Sequence, residues 1–69
     1  MTTKDVHRAC EALCRSWNTL GTIPPNIIEG YQQELAGATK KMQTKFFELI
    51  WAKCPDAAKL FFSASGELK

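Results

Sequence analysis

The sequence predicts an all-α protein, a helical hairpin with a long second helix and a short C-terminal helix, pairing as a dimer. Three observations lead there. Apolar residues recur every three or four positions from Val6 to Leu20 and again from Ile28 to Leu49, the period of an amphipathic helix. No segment alternates polar and apolar residues for long enough to make a sheet. Finally, the five apolar side chains of residues 46 to 51, Phe46, Phe47, Leu49, Ile50 and Trp51, fan over roughly 200° of a helix turning 100° per residue. One neighbouring helix covers a stripe of only about 100° or somewhat more. The surplus must meet a second surface, in this chain or in another molecule.

The first helix is expected over residues 3–20. Val6, Ala9, Cys10, Leu13, Cys14, Trp17 and Leu20 form its stripe. Thr2 and Asp5 have capping-box spacing, and Gly21 supplies a stop. Pro24 and Pro25 then reverse the chain, because neither has a donor and each biases its predecessor toward extended geometry. Asn26 and Glu29 offer a second cap. From there Ile28, Tyr31, Leu35, Ala38 and Met42 lead on to Phe46 and Leu49, so one continuous helix is expected over 26–53. Gly30 and Gly37 each cost about 1 kcal/mol relative to alanine inside a helix. The other reading therefore makes residues 36–39 a turn, with Thr39 capping a new helix. Pro55 suits the first turn of a third helix, expected over 55–62, and residues 63–69 are expected to fray.

The 69 residues make one domain at most. A lone core of that size rarely stabilises a fold by more than about 3–5 kcal/mol. No apolar run approaches the roughly 18 residues of a membrane span, and no hydrophobic segment suited to secretion follows the first residues, so a cytoplasmic protein is expected. Three cysteines form an odd set without the spacing of a disulfide scaffold, which fits a reducing compartment. The net charge of +2 does not by itself imply nucleic acid. Local charge says more: between residues 40 and 53, Lys40, Lys41, Lys45 and Lys53 face the single acid Glu48 beside the aromatic cluster.

Chemical motifs are scarce. His7, Cys10 and Cys14 share one helix and Cys54 could add a fourth ligand, but Cys10 and Cys14 fall in the apolar stripe, where free cysteine packs as a small hydrophobe. No metal or cofactor is expected. The same burial argues against a cysteine nucleophile, and no glycine-rich loop or nucleophile elbow is present. Glu29 with Glu34, and Glu48 with Asp56, read as solvated carboxylates on helix faces. The chain is expected to be no enzyme.

Two resemblances remain. The run Leu35-Ala36-Gly37-Ala38-Thr39-Lys40-Lys41-Met42-Gln43-Thr44-Lys45-Phe46 resembles, within a stretch of roughly twenty residues, the turn and recognition helix of the helix-turn-helix family. That resemblance implies phosphate and base contacts by Thr39, Lys40, Lys41, Gln43, Thr44 and Lys45. The chain departs from the pattern at Gln33, where the family has a small residue, and at Gln43, where it has a buried aliphatic one. In size, helical character and lack of catalytic groups, the whole chain resembles the small phage-encoded proteins that disable host regulators or motors, the quorum-sensing anti-activator of Pseudomonas phages among them. This implies a stoichiometric inhibitor docked on a host transcription regulator. The residues expected to bind that partner are Tyr31, Lys40, Lys41, Lys45, Phe47 and Trp51, with lysines steering encounter and aromatics holding the complex. Trp17, Leu35, Met42, Phe46, Leu49 and Ile50 are expected in the core or in a homodimer interface, and DNA is the alternative partner.

Overall fold

A computed structural model of the chain describes residues 2–69, and over these the protein is all-α: α1 Thr3–Leu20, α2 Pro25–Ala36, α3 Lys40–Lys53 and α4 Pro55–Ala58. No helix among them is long and apolar enough to cross a membrane.

Helix α1 has the expected ends. Thr2 Oγ1 accepts from the Asp5 N–H at 3.2 Å, and the Asp5 carboxylate accepts from the Thr2 N–H at 3.0 Å, so two donors that a helix start leaves unpaired are satisfied reciprocally. That bond from the Thr2 backbone is the main reason the Asp5 carboxyl titrates below its ordinary range. Gly21 closes the helix at φ 72°, its N–H donating to the Trp17 carbonyl at 2.8 Å, a backbone region that favours glycine. At the start of α2 the expected Asn26–Glu29 cap is replaced. Pro24 takes the cap position without a side-chain bond and Pro25 opens the helix, where its missing N–H leaves no orphan donor.

The continuous helix over 26–53 is not what forms. α2 ends at Ala36, the Ala38 N–H turns back to the Leu35 carbonyl at 3.1 Å, and Thr39 caps α3 by accepting from the Met42 N–H at 3.3 Å. The gain is tertiary. Tyr31 and Phe46 would stand about 22 Å apart along a straight helix at 1.5 Å per residue, whereas the turn brings their ring centroids to 6.5 Å. Gln43 secures the corner, its amide Nε2 donating to the Leu35 carbonyl at 2.6 Å and reaching the Ala38 carbonyl at 3.5 Å.

The third expected helix is also shorter, four residues rather than 55–62. Beyond Ala58 the chain proceeds by tight turns that bury Phe61 and Phe62 together. Residues 63–69, expected to fray, fold back on the body instead. Phe62 bridges Leu68 in antiparallel fashion, Ser63 N–H donates to the Glu67 carbonyl at 2.8 Å, and Lys69 N–H donates to the Phe61 carbonyl at 2.9 Å.

One contiguous core results. Val6, Ala9, Cys10 and Leu13 of α1 meet Ile23, Leu35, Phe46, Ile50, Cys54, Ala57, Ala58, Phe61 and Phe62. Of the residues expected in a core or dimer interface, Leu35, Phe46 and Ile50 are fully buried, while Trp17, Met42 and Leu49 are half-buried against them.

Candidate functional site

Helix α3 carries Phe46 and Ile50 inward and leaves Lys40, Lys41, Thr44, Lys45 and Glu48 exposed. Lys40 and Lys41 occupy its first turn, which holds no acid. That is the positive end of the helix dipole, where each like charge costs about 0.3–1 kcal/mol at a surface. The arrangement is locally unfavourable and concentrates positive potential at one point.

On the α1 side of this face lies an open groove of about 590 Å³. His7 of α1 lines it together with Lys40, Lys41, Thr44, Lys45, Glu48 and half-buried Leu49 of α3. On the other side, Phe47 stacks obliquely on Trp51 with ring centroids 5.4 Å apart and meets Phe62 edge-on at 5.3 Å. The tail closes over this flank. Gly66, at φ 87°, sits so close that a Cβ there would lie 3.4 Å from the Phe47 ring, and a smaller cleft of about 350 Å³ separates Ser65 and Glu67 from Lys40 and Thr44.

The six residues expected to bind a partner therefore do not form one patch. Lys40, Lys41 and Lys45 share the outer face of α3. Phe47 and Trp51 are half-buried on the tail side. Tyr31 packs against Phe46 and lines a separate cleft between α1 and α2 with Asp5, Arg8 and Glu34. Sequence reasoning missed His7 and Leu49 as groove residues, because both roles depend on how α1 lies against α3.

The thiols are structural in their surroundings. Cys10 is buried, its Sγ 4.0 Å from the Phe46 carbonyl, and burial pushes its thiol up to about 12. Cys14 is raised as well, first by burial and then by Cys54 beside it. Such shifts disfavour the thiolate that attack or metal binding needs. Among the described residues no group of three or more His, Cys, Asp or Glu side chains is placed to hold a metal ion.

The two departures from the helix-turn-helix pattern now have a physical account. Gln33 is exposed, its carbonyl accepting from the Gly37 N–H at 3.3 Å, and Gln43 spends its amide on the α2 terminus. Gly37 sits at φ −86°, ψ −6°, a conformation open to other residues, so this turn does not use glycine's special freedom. No protein-family model, curated protein or solved structure matches the chain.

Proposed function

We propose that this chain is a non-enzymatic binding protein that docks through the outer face of α3 onto a regulatory protein and blocks it by occupancy. The observation that carries the reading is the placement of Lys40 and Lys41 at the positive end of α3, with Lys45 one turn on, beside an open groove. A fold that needed only stability would put acids there. Phe47 and Trp51 are engaged within the chain, so the lysines and the groove carry recognition, and the aromatics hold α3 in position. The resemblance to phage-encoded antagonists extends the reading to a host transcription regulator met in the host cytoplasm.

Of the wide apolar arc that argues for a homodimer, Phe47 is engaged by Phe62 and the tail within the chain. Leu20 and Ile27, left 63% and 41% exposed, offer a further apolar surface to a two-fold pair.

A second reading, a small DNA-binding regulator, is favoured by the turn at residues 37–39 and by the exposure of Thr39, Lys40, Lys41, Thr44 and Lys45. Against it, Glu48 stands in the same exposed face, where a duplex would present phosphate.

Light scattering on a size-exclusion column, with and without random-sequence duplex at low salt, separates these readings. Affinity capture from host lysate, run beside the Lys40→Glu/Lys41→Glu/Lys45→Glu variant, tests the first directly. The expected result is a protein that ignores duplex and retains one regulatory protein, lost on charge reversal. Identical capture by both forms would remove the docking face. A duplex complex that dissolves steeply with salt would put the DNA reading first.

A further inference from the structure

Resting on that docking face, we infer that the groove between α1 and α3 takes a short acidic peptide segment carrying an apolar side chain, the carboxylates meeting Lys40, Lys41 and Lys45 and the apolar group meeting Leu49. Three observations converge on this ligand class. First, the lysines sit where the helix dipole already repels them, and an incoming anion relieves both interactions at once. Second, the groove is not purely polar. Leu49 is half-buried on the core and lines the groove, so a bare anion leaves apolar surface uncovered, whereas a peptide with one aliphatic or aromatic residue covers it.

Third, Glu48 stands at the edge of the lysine row. It opposes an evenly charged polyanion such as a duplex backbone, and it tolerates a peptide whose carboxylates are spaced by neutral residues. The volume of about 590 Å³ is within the common range of binding clefts, about 300–1,000 Å³.

The test is fluorescence anisotropy at low salt with four probes: a short labelled peptide of spaced Asp and Glu around one central Leu, the same peptide with Asn and Gln replacing the acids, the acidic peptide with Ser replacing Leu, and a random-sequence duplex. Inorganic phosphate is added as a competitor. The first peptide binds best. Its affinity falls roughly fivefold to tenfold in Lys41→Gln/Lys45→Gln, the scale of about 1 kcal/mol for two exposed charge pairs, while Lys59→Gln, outside the groove, changes it by less than about twofold. Folding does not confound the result, because removing the Lys41 charge relieves repulsion in the first turn of α3.

The inference is overturned by equal binding of the Asn/Gln peptide, by equal binding of the Ser peptide, by complete competition from phosphate, by tighter binding of the duplex, or by no peptide binding at all. Should the peptide fail while the charge-reversal variant still loses its captured regulator, the docking face stands and only the acidic ligand class falls. Should the peptide bind while capture is unchanged by charge reversal, the groove stands and the regulatory role falls.

Discussion

The two flanks of α3 differ in how the chain treats them. On the tail side, Phe47 packs on Trp51 and Phe62 and lies beneath Gly66. On the α1 side, Lys41, Lys45, Glu48, Leu49 and His7 line an open groove. An apolar arc too wide for one neighbour is met on one side by the chain's own C-terminal segment, and the remaining side is charged and uncovered. Burial thus fixes the helix on one flank, and the opposite flank stays exposed. Under the proposed function, the covered flank is the stability determinant and the open flank the docking one.

The largest expected effect tests that division at its anchor. Phe46 stands between the flanks, fully buried, with ring centroids 6.5 Å from Tyr31, 6.2 Å from Phe61 and 6.0 Å from Phe62. Phe46→Ala removes those contacts and leaves a cavity, a loss of about 3–5 kcal/mol, which is of the order of the whole stability of so small a domain. Lys45→Ala, on the open flank, is expected to stay within about 0.5 kcal/mol of the parent. Urea unfolding followed by tryptophan fluorescence measures both. Comparable losses from the two substitutions would mean that the lysine flank is structural.

Gly66→Ala sharpens the covered side. At φ 87° any other residue is strained by about 1–2 kcal/mol. The cost falls on docking of the tail, so the effect should be local. Amide exchange at Ser63 and Lys69, whose N–H groups bond to Glu67 and Phe61, should accelerate, while exchange at Ile50 in α3 stays nearly unchanged. Equal acceleration in both places would show that the tail and the core unfold as one unit.

How far the sequence reveals this arrangement depends on whether the deciding interaction is local. Helix α1 is legible to the residue: its period, the Thr2–Asp5 box and Gly21 all act within a few positions of one another. The restart at Pro55 is legible for the same reason. The break at Gly37 is visible only as a competition between an unbroken apolar period and a weak helix former. It is decided by Tyr31 meeting Phe46 and by Gln43 reaching Leu35, contacts that no local pattern announces. The tail is polar and glycine-containing, so it looks unstructured until Phe47 is known to be there to receive it. Three lysines of the candidate site are plain in the sequence, but His7 joins them only because α1 lies against α3.

The smallest expected effect concerns the corner itself. Gly37 adopts φ −86°, ψ −6°, and a Cβ built on it would come no closer than 3.7 Å to the Glu34 carbonyl oxygen and 3.8 Å to that of Gln33. Alanine therefore fits without strain or collision. Because glycine gives the unfolded chain more freedom to lose, Gly37→Ala should stabilise the protein by about 0.4–1 kcal/mol, read as a higher urea midpoint with an unchanged slope. The sign separates two kinds of corner. A turn held by the Gln43 amide and the Thr39 cap tolerates any residue of ordinary φ at position 37, whereas a turn that required left-handed glycine would lose about 1 kcal/mol or more. A gain in stability would therefore place the join between α2 and α3 under side-chain control. It would also keep α3 where its lysines face outward while its aromatic flank stays under the tail.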